Sequence, residues 1–170
     1  MVLCGPAGTG IQTVEMLLTR LLIRAGYFVY SNKEYMSRVR GGENSTLIRV
    51  SDHPVRAWVN RIDLLVPFSA GAIDHLRNRL SPETLVVADR AALGQDCPID
   101  DFESVDVPLN SVAAQIGNPL VSNLVAVGFL AALFGLEFAA VEEVVGGALT
   151  KKSTEVVHQN LMAAGRGHSL

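Results

Sequence analysis

Apolar residues change their spacing early in the chain. Val2, Leu3 and Cys4 form a short unbroken run that stops at Gly5-Pro6-Ala7-Gly8-Thr9-Gly10, and from Ile11 apolar side chains return at helical intervals, at Val14, Leu17, Leu18, Leu21 and Leu22, as far as Gly26. An apolar run, a glycine-rich turn and a period near 3.6 predict a strand, a tight turn and a helix. Tyr27 to Tyr30, rich in β-forming side chains, predicts a second strand and completes a βαβ unit of about thirty residues with a right-handed crossover.

Residues 31–43 are polar and predict a surface loop with one helical turn, whereas 44–50 alternate as in a strand with two unlike faces. Apolar runs at 62–68 and 85–88 predict parallel central strands, separated by a helix over about 70–80. A short strand follows at 105–108, then helices at 112–116, 121–134, 139–149 and 154–164. The most apolar window, 119–136, is interrupted by Ser122, Asn123, Gly128 and Gly135 and is short for a bilayer span, so it reads as a buried helix. These elements predict an α/β fold: a three-layer α/β/α sandwich, Rossmann-like, with a mostly parallel sheet. One domain covers 1–165, and 166–170 form a frayed tail.

Composition sharpens this picture. The 170 residues are 49% hydrophobic and 18% charged, and mean hydropathy is +0.29. That surplus fills strands buried on both faces, faces a partner or a second copy of the isolated chain, or does both. A net charge of −3 offers no general basic footprint for nucleic acid. Cys4 and Cys97 are isolated, without the spacing of a disulfide framework or of an iron–sulfur or zinc site, which points to a reducing, cytoplasmic compartment. No signal peptide or membrane segment is read at the N-terminus. His53, His75, His158 and His168 are scattered, and Ser69 and Ser122 lack a G-x-S-x-G setting, so neither a metal site nor a hydrolase triad is expected. Asp100-Asp101 reads as a solvated turn.

Two segments carry candidate chemistry. Gly5, Gly8 and Gly10 lie between a strand and a helix, where backbone N–H groups can point at an anion. Their G-x-x-G-x-G spacing satisfies neither the dinucleotide fingerprint nor a phosphate loop ending in Gly-Lys-Ser/Thr, and close packing alone also accounts for such glycines. Ser37-Arg38-Val39-Arg40-Gly41-Gly42 sets two guanidinium groups beside two permissive glycines in a loop beyond the C-terminal end of the second strand. That is the ligand edge of open α/β sheets, and arginine forks bind phosphate bidentately, although a solvated basic loop has the same composition.

The stretch 5–56, GPAGTGIQTVEMLLTRLLIRAGYFVYSNKEYMSRVRGGENSTLIRVSDHPVR, resembles the γ domain of 2-oxoacid:ferredoxin oxidoreductases, especially the form fused at the N-terminus of the 2-oxoglutarate-type α subunit. SRVRGG, preceded by EYM and followed at one remove by Asn44, is its specific part, and weaker similarity continues through 63–66, 123–128 and 151–160. The resemblance implies a non-catalytic component that contributes to the coenzyme A site. Thiamine diphosphate, magnesium and iron–sulfur clusters would lie in partner α, β and iron–sulfur subunits, and ferredoxin would accept the electrons. By motif position it implies binding roles for Gly5, Gly8, Thr9, Gly10, Ser37, Arg38, Arg40, Gly41, Gly42 and Asn44. Ala7 and Thr9 stand where the family commonly has glycine and glutamine, so a role resting on that glutamine does not carry over. The competing class is a free-standing Rossmann-like module that binds a nucleotide or senses a ligand.

Overall fold

A computed structural model describes residues 1–35 and 42–170. The chain divides into two compact units, one of residues 1–11 and 27–108, the other of 12–26 and 109–170.

The first unit is built on a six-stranded sheet. Its strands are β1 (Val2–Gly5), β2 (Phe28–Glu34), β3 (Asn44–Ser51), β4 (Leu64–Pro67), β5 (Leu85–Ala88) and β6 (Glu103–Asp106), in the order β2-β3-β1-β4-β5-β6. β1, β4, β5 and β6 run parallel to one another, and β3 runs antiparallel to both β1 and β2. The α/β class and the parallel central strands thus match expectation. The first βαβ unit is modified: β2 does not pair with β1, because β3 turns back and lies between them.

β2 is longer than its apolar run. Ser31, Asn32, Lys33 and Glu34, expected in a loop, belong to this edge strand, paired with Ile48, Leu47, Thr46 and Ser45. An edge strand need not be apolar to be held in a ladder. β3 does not have two unlike faces at its centre, since Ser45, Thr46, Leu47 and Ile48 are all buried. The last strand begins at Glu103, two residues earlier than expected, and Val107 N–H donates to the Ala88 carbonyl at 2.8 Å just past its end.

One core of this unit gathers Val2 and Cys4 from β1, Leu47 from β3, Leu65 from β4 and Val86 from β5 with Ala72, Ile73 and Leu76 of α2 (Gly71–Leu76). The short helix α3 (Arg90–Leu93) follows β5 and is capped by Asp89, whose carboxylate accepts from Ala92 N–H at 3.1 Å. At the start of β5 the buried Thr84 hydroxyl donates to the Ile62 carbonyl at 2.7 Å.

The second unit is helical: α1 (Ile11–Arg24), α4 (Leu109–Ile116), α5 (Ser122–Leu133), α6 (Phe138–Ala148) and α7 (Thr154–His168). α1 buries Val14, Leu17, Leu18, Leu21 and Leu22, the residues whose spacing predicted it. α5 is apolar on all sides and buried nearly all round, as such helices must be. α5 and α7 meet backbone to backbone: a Cβ on Gly128 would lie 1.9 Å from the Ala164 carbonyl oxygen, and one on Gly167 would lie 2.0 Å from that of Val125. The residues expected to fray are therefore helical through His168, with Gly167 buried and the His168 ring Nε2 2.7 Å from the Leu136 carbonyl. Among the described residues no helix is long and apolar enough to cross a membrane.

Candidate functional site

The strand order singles out one edge of the sheet. From the end of β1 the chain goes on toward β2, on one side of β1; from the end of β4, the parallel neighbour of β1, it goes on toward β5, on the other side. Connections that diverge from adjacent parallel strands open a crevice at the C-terminal ends of those strands. The antiparallel pair adds its own ends there, because Asn44 at the start of β3 sits opposite Gly5 and Glu34 at the end of β2 sits opposite Ser45.

The loop after β1 is shaped by its glycines. Thr9 N–H and hydroxyl both donate to the Pro6 carbonyl, at 3.4 and 2.8 Å, closing a turn whose third residue, Gly8, has φ of +94°. That conformation is open to glycine at little cost. Gly5 is needed for space, since a Cβ there would come 2.8 Å from the Phe68 Cβ, and Phe68 N–H donates to the Cys4 carbonyl at 2.7 Å. Pro6, Ala7 and Gly8 are exposed. The loop leads into α1, whose first turn carries no acidic side chain and whose first N–H groups have no partner within the helix. The arrangement suits an anion.

Two carboxylates brace the neighbouring chain ends. Glu43, just before β3, accepts from the Ser69 hydroxyl at 2.8 Å, and its other oxygen lies where a Cβ on Gly71 would be 2.7 Å away. Glu34, at the end of β2, accepts from the Ser45 hydroxyl at 2.8 Å and from Arg79 Nη1 at 3.4 Å. Arg79 is itself held by the Asn60 carbonyl, 3.1 Å from its Nε, and its guanidinium lies 5.7 Å from the centre of the Trp58 ring. Cys4 sits among these groups. Burial pushes its thiol from 9.0 up to about 12, with Glu43 and Glu34 adding to the rise and Arg79 opposing it. A thiol so placed is protonated and inert at neutral pH.

Of the residues singled out from the sequence, Gly5, Gly8, Thr9, Gly10, Gly42 and Asn44 all belong to segments at or leading from this edge. Ser37, Arg38, Arg40 and Gly41 lie outside the described residues. Both flanks of their segment are fixed at the edge, one through Glu34 and the other through Asn44. Sequence reasoning passed over Glu34, Glu43, Ser69, Gly71 and Arg79. Glu43 lies inside the recognised SRVRGG-x-N pattern, at its variable position, which is the one signal that points to it.

A separate half-open cavity of about 410 Å³ lies beside α3, lined by Arg90, Leu93, Cys97, Ile99 and Asp100 among others. Its one cation, Arg90, is already engaged by Asp100 and Ser104, each at 2.7 Å. Among the described residues no cluster of three or more His, Cys, Asp or Glu side chains is placed to hold a metal ion.

Comparison with known proteins follows this geometry. A family model described as pyruvate ferredoxin/flavodoxin oxidoreductase matches residues 1–170. The 2-oxoacid:ferredoxin oxidoreductase subunit alpha of Sulfolobus sp is 38% identical over 72 residues, 42% of this chain and 11% of that protein, so the match spans about a tenth of the relative's length. The solved 2-oxoglutarate:ferredoxin oxidoreductase from Magnetococcus marinus, with 2-oxoglutarate, coenzyme A and succinyl-CoA bound, is similar at a TM-score of 0.86 and 24% identity, over 99% of this chain and 30% of that one. The keto/oxoacid ferredoxin oxidoreductase gamma subunit from Geobacter sulfurreducens gives 0.78 and 20%, over 99% of this chain and 95% of that one. At these identities the two structures establish a shared fold.

Proposed function

Because the chain belongs to the pyruvate ferredoxin/flavodoxin oxidoreductase family, we propose that it is the γ-type component of a 2-oxoacid:ferredoxin oxidoreductase and forms one wall of that enzyme's coenzyme A site. The observation that carries the reading is the meeting, at one sheet edge, of the Gly5–Gly10 loop, the start of β3 and both flanks of the arginine-bearing segment. In this role the exposed loop amides and the first turn of α1 receive phosphate oxygens, and Arg38 and Arg40 supply charge-assisted donors to the same group. Gly5 keeps the loop pressed against Phe68, and Thr9, its hydroxyl donated to Pro6, acts by fixing the turn.

Decarboxylation of the 2-oxoacid and electron transfer to ferredoxin then belong to thiamine diphosphate, magnesium and iron–sulfur clusters held by partner α, β and iron–sulfur subunits or domains. The two free, buried cysteines suit a reducing cytoplasmic setting. The isolated chain is inactive in this reading.

The test is a coenzyme A titration of the assembled enzyme carrying Arg38→Ala or Arg40→Ala. A charge-assisted phosphate contact is worth about 1.5–3 kcal/mol, so the responsible substitution weakens coenzyme A by roughly ten- to a hundredfold. Melting of the chain scarcely moves. An unchanged coenzyme A constant in both variants defeats the assignment.

A further inference from the structure

We propose that the half-open cavity beside α3 is a second binding site and takes a small organic cation, a primary amine with an apolar body of a few carbons. The proposal does not rest on the coenzyme A reading, since no residue of the cavity belongs to the glycine loop or to the chain ends around it.

The cavity arises from how the chain passes between two neighbouring parallel strands. β5 ends at Ala88, Asp89 caps α3, and Gly94, at φ of +84°, stops the helix with its N–H donating to the Arg90 carbonyl at 3.2 Å. Cys97 N–H then donates to the Gly94 carbonyl at 3.4 Å and Ile99 N–H to that of Cys97 at 2.7 Å, and the turn Ile99–Asp101 delivers the chain to β6. Leu93, Cys97 and Ile99 are buried in the core of this unit and also line the cavity, so part of its wall is apolar. Its volume of about 410 Å³ falls in the range of small-molecule sites.

Charge decides which ligand fits. Arg90 is committed on three sides: its backbone N–H donates to Asp106 at 3.0 Å, and its guanidinium donates to Asp100 and to Ser104 at 2.7 Å each. An anion seeking Arg90 would have to displace Asp100, and in the stretch 89–106 six acidic side chains stand against this one guanidinium. Asp74 of α2 acts on the cavity from outside that stretch. Burial raises the Cys97 thiol, and the Asp74 charge adds to the rise. Arg77 holds Asp74 at 3.2 Å and lies 3.9 Å from Asp101, so this second guanidinium is neutralised too.

Asp100 is the carboxylate placed to receive a cation. It lines the cavity, offers Arg90 its Oδ1 and keeps a side chain that is 84% exposed. A carboxylate has about four lone-pair sites, so Oδ2 accepts from an ammonium without Arg90 letting go. Gln95, exposed at the same cavity, carries an amide oxygen that serves as a second acceptor. An alkylammonium then sets its chain against Leu93, Cys97 and Ile99 and its head on Asp100. A neutral alcohol of the same length keeps the first contact alone, and a carboxylate meets repulsion as well.

The experiment titrates hexylamine, hexan-1-ol and hexanoate at pH 7 into the full chain and follows backbone amide NMR shifts. Hexylamine is expected to bind saturably, with the shifts concentrated at residues 90–100, and to bind more tightly than the alcohol, with hexanoate weakest. A hydrogen bond to a charged group is worth roughly tenfold at its low end, so Asp100→Asn should weaken hexylamine by about that factor and leave hexan-1-ol nearly unchanged. Ala91→Phe, which fills the cavity from an exposed position of α3 and spares the Arg90–Asp100 pair, should abolish binding of both.

Hexanoate binding more tightly than hexylamine overturns the proposal, as does the absence of saturation or a set of shifts that Ala91→Phe leaves in place. Equal affinity for amine and alcohol in wild type overturns the role of Asp100 and with it the cationic class. Should Asp100→Asn lower the melting temperature by loosening the turn, the order of the three probes on wild type and the Ala91→Phe block decide by the same criteria. The titration is repeated on the assembled enzyme. Binding that persists there supports a free amine as the ligand, and binding lost there overturns it, marking a surface that a partner subunit covers.

Discussion

Gly8, in the loop after β1, and Gly128, in the middle of α5, are glycines for opposite reasons. A methyl group on Gly8 would meet nothing within 4 Å, and what the position requires is a φ of +94°. A methyl group on Gly128 would lie 1.9 Å from a backbone oxygen of α7 in an ordinary helical conformation. The first glycine shapes a surface that faces outward, and the second removes volume so that two backbones can touch. Residues at the sheet edge should accordingly govern binding at small cost to folding, and residues between α5 and α7 should govern folding alone.

The largest effect expected from this contrast is at the helix pair. Gly128→Ala or Gly167→Ala drives a Cβ into a carbonyl that no side-chain rotation can move, and overpacking of this kind costs about 3 kcal/mol or more. For a chain of this size the midpoint in a thermal melt should fall by roughly 6–12 °C. A melt within a degree or two of wild type would show that α5 and α7 can slide apart cheaply.

The next effect is at Cys4, beneath the sheet edge. Its folded-state pKa is raised to about 12 from 9.0. Its contribution to stability is therefore complete below pH 9 and is lost as pH rises toward 12, because the unfolded chain releases the proton first while the folded chain keeps it. Urea titrations of wild type and Cys4→Ala should show the gap between them narrowing from pH 8 to pH 11. A constant gap would mean that the thiol is not desolvated.

Gly8→Ala comes third, at about 1 kcal/mol, since the penalty is only that of placing an L-residue at positive φ. Its stability should change far less than that of Gly128→Ala, while in the assembled enzyme it should weaken coenzyme A. The smallest effect is at Arg24 and Glu143, an ion pair at 2.5 Å between α1 and α6 with both side chains more than half exposed. Arg24→Ala should cost about 0.5 kcal/mol or less in the same melt. Together with Gly128→Ala it tells whether this unit is held by backbone apposition or by surface charge.

The same contrast explains what was legible in the sequence. β1, its glycine turn and α1 were readable because the apolar period changes from run to helix across a few residues, and α5 was readable because it is apolar all round. The polar half of β2 escaped because an edge strand does not need alternating apolar residues. The end of α7 escaped because Gly165, Gly167 and their neighbours look like a helix stop, whereas Gly167 is demanded by contact with α5. The insertion of β3 between β1 and β2 has no local signal, since periodicity reports that a strand exists and not which strand it pairs with. At the site the glycine loop and Asn44 were found by motif. Glu43, Ser69 and Gly71 were not, because their association joins residues 26 apart through one hydrogen bond.

The contact between Arg79 and Trp58 has an optical consequence. The chain contains one tryptophan, half-exposed, with a guanidinium over its ring that also reaches Glu34 at the flank of the arginine segment. Its tryptophan emission therefore comes from a single place, beside the sheet edge. Adding an anion or a partner subunit and watching that one emission band reports on the edge with no label attached.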